Sequence, residues 1–287
     1  MGETRIGVPL AVRLALGRAA AQVIAARAQV DLLHIKGNVV DPSLRDPRAV
    51  GSDIDVIVRP AHCDTYHREL LAHDWVVYSS FANGSPFEHA QTYWHDTWGY
   101  LDLHRWFPGI GAEPVTAFAK LWAHSSTMSV AGTPCRVPDI DGQLFLLVLN
   151  AARAGGVSGS PLGTVWDEAP PARRDAVEGL VRELHAEVAF AAAFGRLDEV
   201  AEAPSHLLWR VVAEGGSRLD EWRGRIRAAP TLRAKVRTVL RAPLVNTDRL
   251  RHQFGRKPSA ADILRSAAHR VATGARELLA RGGSSRP

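Results

Sequence analysis

Residues 53–58 read Asp-Ile-Asp-Val-Ile-Val, two carboxylates one residue apart at the mouth of an apolar run. A run of this kind is a buried strand, and residues i and i+2 of a strand point to one face. Asp53 and Asp55 therefore project together, while Ile54, Val56 and Val58 turn to the other side. Neighbouring carboxylates repel, and burial raises the pKa of at least one of them. A divalent cation removes both costs. Mg²⁺ suits the place, because it takes one or two carboxylates and completes an octahedral oxygen shell with substrate phosphates.

A third carboxylate stands in the segment 100–106, where Leu101 and Leu103 alternate with Asp102 and His104. Asp102 and His104 thus share a polar face flanked by buried leucines. Three carboxylates on adjacent strands suit a two-metal site. A surface face with ordinary aspartates is the plainer account of Asp53 and Asp55 alone; the full set, with the Lys36-Gly37-Asn38 turn upstream, argues against it.

The frame around these residues is that of a soluble globular chain. Its 287 residues are 46% hydrophobic and 23% charged, which allows one large or two moderate domains. With only Cys63 and Cys135, neither a disulfide framework nor a cysteine zinc site is expected, and a reducing cytoplasm is the expected location. No apolar run approaches the roughly 18 residues that a membrane span needs. Residues 9–30 have the apolar character of a secretory signal, but Arg13, Arg18 and Arg27 recur through them. Their spacing predicts an amphipathic helix that buries Leu14, Leu16, Val23 and Ile24.

Further on, strands are expected at 31–35, 53–58 and 75–79, with a Pro60-initiated helix between the last two that buries Leu70 and Leu71. Residues 89–95 and 99–106 form an antiparallel pair across the Asp96–Gly99 turn; a helix at 115–125 and a hairpin at 126–138 follow. From residue 139 onward the pattern is helical with Gly, Ser and Pro breaks. The chain thus divides into an α/β part, 1–138, and a helical part, 139–287. Residues 155–163 are glycine-rich but lack the Gly-Lys-Ser/Thr ending of a phosphate-binding loop, and read as a connection between helices. Asp167 reads as a surface acid, and the tail 281–287 as disordered. His89, His95 and His104 lack the spacing of a zinc site.

Charge is unevenly spread. Residues 1–140 hold 12 Lys/Arg against 14 Asp/Glu, and residues 204–287 hold 18 against 6. The basic part is either a solvated arginine-rich helical face or a surface for nucleic acid, an anionic membrane or an acidic partner. Trp209, Trp222 and Phe254 are too sparse there to make a base-stacking platform.

The succession Ile35-Lys36-Gly37-Asn38, Gly51-Ser52-Asp53-Ile54-Asp55, then Leu101-Asp102-Leu103-His104-Arg105-Trp106 resembles the nucleotidyltransferase superfamily related to DNA polymerase β. Within it, the chain is most similar to the bacterial uncharacterised nucleotidyltransferase family, over roughly residues 30–106. The resemblance implies an α+β fold, a mixed sheet with flanking helices followed by an all-helical C-terminal region. It implies a Mg²⁺-dependent enzyme, with two Mg²⁺ ions or Mn²⁺ in their place, that moves a nucleoside monophosphate from an NTP to an acceptor hydroxyl. The acceptor would be a small molecule, a peptide or protein, or an RNA end. Asp53, Asp55 and Asp102 would be the catalytic metal ligands, with Asp102 also placed to act as general base. Lys36, Gly37, Asn38, Arg48 and Ser52 would hold the nucleotide phosphates, Gly37 by letting backbone amides approach. His104 would steady Asp102 or meet the acceptor, unless it is a structural histidine. The chain departs from the wider superfamily in having Gly37-Asn38 where Gly-Ser or Gly-Gly is usual.

Two rival readings remain. A glycosyltransferase also uses Asp-x-Asp, but would need more βαβ units before it and no third carboxylate strand. A catalytically inactive module of the same fold would bind nucleotide or a partner without turnover.

Overall fold

The computed structural model describes residues 8–46, 51–241, 247, 248, 250, 256 and 258–266. Arg48, Phe254 and the tail 281–287 lie outside them. The fold is α+β, as expected. Helix α1 (Leu10–Arg27) leads into β1 (Leu32–Ile35), a 3₁₀ turn at Gly37–Val39, β2 (Asp53–Val58), α2 (Cys63–Ala72), β3 (Val76–Ser79) and a short α3 (Phe81–Gly84). Strands β4 (Ala90–His95) and β5 (Gly99–His104), helix α4 (Pro114–Ala123) and the hairpin β6 (Ser125–Val130)–β7 (Thr133–Pro138) follow. The rest of the described chain is helical: α5 (Ile140–Ala151), α6 (Pro161–Glu168), α7 (Pro171–Glu183), α8 (Glu187–Ala193), α9 (His206–Glu214), α10 (Arg218–Ala228) and α11 (Leu232–Arg241).

The sheet is mixed, in the order β1-β2-β5-β4-β3. Only β2 and β5 run parallel; β1–β2, β4–β5 and β3–β4 are antiparallel. One face packs on α1 and α2 through Ile54, Val56, Val58, Tyr66, Leu70, Tyr93, Leu101 and Leu103. On the other, Leu33, Ile35, Ile57 and Phe107 join a core that runs through α4, α5, α7 and α8 to Trp209 of α9. No helix of the described residues is long and apolar enough to cross a membrane.

Three residues expected in the core are corrected. Leu16 and Val23 are 41% and 39% exposed, and the buried face of α1 is Leu14, Gly17, Arg18, Ala21, Ile24 and Ala25. Small residues set that face because the helix presses close to β2: a Cβ on Gly17 would meet Ile54 Cδ1 at 2.7 Å. The tight seam rotates Leu16 and Val23 outward. On α2, Leu70 is fully buried but Leu71 is 45% exposed, since Tyr66 and Leu70, one turn apart, define the buried stripe.

A candidate active site on the open face of the sheet

The parallel register of β2 and β5 sets Asp55 directly opposite Asp102, and Asp53 opposite Tyr100. Across the antiparallel β4–β5 pair, Asp102 faces Thr92, whose hydroxyl donates to Asp102 Oδ1 at 2.6 Å. The floor of the site is therefore a row of side chains, Asp55–Asp102–Thr92, read across three strands. Ligand atoms of Asp55, Asp102 and His104 all lie within 4.8 Å of one another. Asp53 is not a member of that cluster; it accepts from the Ser52 hydroxyl at 3.2 Å and lines the cleft beside Asp55.

Asp55 is almost completely buried, and Oδ1 receives both Lys36 Nζ at 2.6 Å and His104 Nε2 at 2.9 Å. Burial opposes its charge more than any single neighbour favours it, yet Lys36 and His104 together hold the carboxyl well below the usual range. Burial pushes Asp102 up to about 6, with the charge of Asp55 adding to the rise. Asp53 is raised for the same two reasons in the same order. Burial lowers His104 to about 4, so at neutral pH the ring is uncharged. A carboxylate only accepts, so Nε2 carries the proton and Nδ1, buried and without a hydrogen-bond partner, does not. His104 thus steadies Asp55 rather than Asp102, and its Nε2 is committed to that bond.

The Lys36-Gly37 turn closes one side. Lys36 has φ 56° and ψ 179°, a conformation that ordinarily belongs to glycine, and Gly37 follows at φ 60°. Arg18 explains how the turn is held. Its guanidinium, 1% exposed, donates from Nη1 to the carbonyls of Ile35 (3.4 Å) and Asp55 (3.3 Å), and from Nη2 to those of Lys36 (3.2 Å) and Asp53 (3.4 Å). A Cβ at Gly37 would come within 2.8 Å of Arg18 Nη2, so glycine is required there by both φ and space. Asn38 is exposed. Lys36, Gly37, Ser52, Asp53 and Asp55 line one cleft of about 530 Å³ with Asn150, Gly156, Ser160 and Pro161. Of the glycine-rich stretch 155–163, residues 155–160 connect α5 to α6 as read, whereas Pro161–Gly163 form the first turn of α6; Gly156, Ser160, Pro161 and Leu162 also line the far wall of this cleft. Asp167 is exposed and lines a pocket that adjoins this cleft through Arg45, Asp46, Ser160 and Pro161.

Sequence reasoning missed two cations. In the sequence Arg18 is one of three arginines that interrupt an apolar helix, and its phase with Leu14, Ala21 and Ala25 is the signal of burial. Arg153, just past α5, donates to Asn150 Oδ1 at 2.9 Å and has Nη1 3.4 Å from His89 Nε2. Lys36 and Arg153 both approach the ring of Phe107, at 5.7 and 6.0 Å, and that ring stacks on His104. Nothing in the local sequence marks Arg153. The three histidines do not gather: His89 and His104 have ring centroids 5.0 Å apart, whereas His95 lies against Trp75 and Trp98.

The donor set fits a hard divalent cation. Its members are carboxylate oxygens, Asp53 and Asp102 are raised first by burial and then by the charge of Asp55, both of which a cation relieves, and the nearby histidine nitrogen is already engaged.

No family model and no curated protein matches the chain. Among solved structures, it is similar to the lincosamide antibiotic adenylyltransferase LnuA in its lincomycin-bound form (14% identity, TM-score 0.34, covering 57% of this chain and 94% of that one). It is similar also to the antibiotic-resistance factor ANT(2'')-Ia (15%, 0.36, 67% and 95%). A third similar structure is an antigenic nucleotidyltransferase-like protein from Paracoccidioides brasiliensis (15%, 0.35, 64% and 96%).

Proposed function

We propose that the protein transfers a nucleoside monophosphate from an NTP to an acceptor hydroxyl in a Mg²⁺-dependent reaction. The observation that carries this reading is the in-register pair Asp55–Asp102 on parallel strands, with the Lys36-Gly37 turn at the neighbouring strand end. Mg²⁺ or Mn²⁺, bound by Asp53, Asp55 and Asp102, would neutralise triphosphate charge and acidify the acceptor hydroxyl. Lys36 supplies a point charge to the phosphates when it leaves Asp55, and the Gly37 amide and Ser52 hydroxyl are donors beside it. Asp102, held by Thr92 and ionised above about pH 6, accepts the proton of the attacking hydroxyl. In this proposal residues 1–138 hold the donor, and residues 139–287 contribute the opposite wall of the cleft.

The inactive-module reading has one observation in its favour, since Lys36 already neutralises Asp55 as it would in a metal-free binding protein. Calorimetric titration of the four NTPs, with and without Mg²⁺, into wild type and Asp55→Asn separates the two. Metal-dependent binding that the substitution abolishes is expected. Binding that ignores both Mg²⁺ and the substitution would favour the module, and no binding at millimolar NTP would defeat the catalytic reading.

A further inference from the structure

The carboxylate face continues outward into a row of rings. By register, Tyr100 sits between Asp53 and Trp94, in the row next to Asp55–Asp102–Thr92. The rings of Trp94 and Tyr100 are 4.7 Å apart and tilted by 58°, and Tyr78 of β3 meets Tyr100 edge-on at 5.1 Å. Trp94 and Tyr100 are only half-buried, although Tyr93, next to Trp94 in β4 and paired with Leu101 on the opposite face, is completely buried. Large rings left partly open on one face, one row from a set of carboxylates, form a binding surface in search of a flat partner.

Their position relative to the phosphate turn says which partner. The turn lies at the β1 edge of β2, and the rings lie on β5 and β4, beyond the opposite edge. Asp55 and Asp102 stand between. In an in-line displacement the attacking and leaving oxygens occupy opposite sides of the phosphorus. With the triphosphate drawn to Lys36 and Gly37, the attacking hydroxyl comes from the β5–β4 side. Two positions along a strand span about 6.6 Å, so Tyr100 is roughly one ring's width from Asp102.

We propose that Trp94 and Tyr100 form the acceptor subsite, and that the acceptor is a hydroxyl compound carrying an aromatic ring, neutral or cationic rather than anionic. The charge preference follows from Asp96, which accepts from Trp94 Nε1 at 2.9 Å at the end of the row away from the proposed metal ligands. The acceptor oxygen bonds to the α-phosphorus of the NTP, the bond from that phosphorus to pyrophosphate breaks with its electron pair leaving on pyrophosphate, and the hydroxyl proton passes to Asp102. This inference rests on the nucleotidyltransferase reading.

The test measures pyrophosphate release from the NTP that binds, with benzyl alcohol, 2-phenylethanol, tyramine, glycerol and a short oligonucleotide bearing a free 3′-hydroxyl as acceptors. The ring compounds should outpace glycerol about tenfold at equal concentration. Tyr100→Ala and Trp94→Ala should raise the ring acceptor's KM by about 5- to 100-fold, the span of one aromatic stacking contact. Their Kd for the NTP should stay within about twofold, and Tyr100→Phe and Trp94→Phe should keep the acceptor KM, which guards against misfolding as the cause. Equal use of glycerol, preference for the oligonucleotide, or an unmoved KM in both alanine variants overturns the proposal. So does a shift in NTP Kd, which would assign the rings to the nucleotide base. Wild type that binds no NTP at all sinks the underlying reading and this subsite with it, a result distinct from each of those.

Discussion

The two faces of the central sheet are made by alternate residues of the same strands, and they are built to opposite rules. On the α1–α2 side, Ile54, Val56, Val58, Tyr93, Leu101 and Leu103 are all within 1% of complete burial. On the other side the rows change character outward: Ile57–His104–Ala90 is buried, Asp55–Asp102–Thr92 follows, and Asp53–Tyr100–Trp94 is half open. The closed face contributes cohesion. The open face uses that cohesion to hold carboxylates whose repulsion would otherwise separate them. Asp55 and Asp102 show this most plainly, since directly opposed carboxylates are shifted in opposite directions, one stabilised by Lys36 and His104, the other raised by burial and its neighbour's charge.

Asp55→Asn strikes the open face hardest. It deprives Lys36 of its partner and removes the carboxylate common to the proposed metal sites; pyrophosphate release should fall on the order of a thousand-fold or more, as losses of preorganised charge do. A circular-dichroism spectrum like wild type's would assign the loss to the site. Arg18→Met attacks the junction of the two faces, where one guanidinium ties the carbonyls of both β1 and β2. Stripping a buried charge network costs about 3 kcal/mol or more. Urea denaturation measures it, and Arg18→Lys should recover only part, because an ammonium cannot reach four carbonyls in one plane.

Asp102→Asn should have the contrary sign in metal-free buffer. The folded carboxyl titrates at about 6, above its unfolded value, so its contribution to stability is complete below about pH 4 and is lost as pH rises through 6. Above pH 6 the asparagine variant should be more stable than wild type by on the order of 2 kcal/mol, and below pH 4 the two should converge. Added Mg²⁺ should reverse the order at pH 7.5 by stabilising wild type alone. Wild type more stable without metal at that pH would mean that Asp102 has a compensating cation of its own.

Alternation made both faces legible in the sequence: Asp-Ile-Asp and Leu-Asp-Leu-His each announce a strand with one apolar and one polar side, and β2, β4 and β5 stand where expected. The Lys36-Gly37 turn was legible through the resemblance, and its glycine has a steric meaning in the positive φ it adopts beside Arg18. What could not be read was anything set by distant packing. The parallel pairing of β2 with β5 and the approach of Arg153 depend on elements far apart in the chain, and the wall formed by Gly156 and Ser160 depends on how α5 and α6 meet. Arg18 lay between these cases. Its helical phase was visible, but charge argued for the surface, and its burial is offset by four carbonyl acceptors and by the nearby charges of Asp55 and Asp53.

The smallest expected effect tests the same phase argument where no charge confuses it. Leu70 and Leu71 are adjacent, chemically identical and on one helix, so propensity and composition cannot distinguish them. Leu70 packs under the closed face at full burial, and Leu70→Ala should cost about 3 kcal/mol through lost transfer energy and the cavity left behind. Leu71 projects 100° further round and is 45% exposed, and Leu71→Gln should change stability by less than about 0.5 kcal/mol. The pair, measured by thermal unfolding, reads the rotation of α2 directly. A large cost at both positions would mean that the closed face extends around the helix and that Leu71 is covered in solution. A small cost at both would mean that α2 contributes little cohesion, leaving α1 alone to brace the strands that hold Asp55 and Asp102.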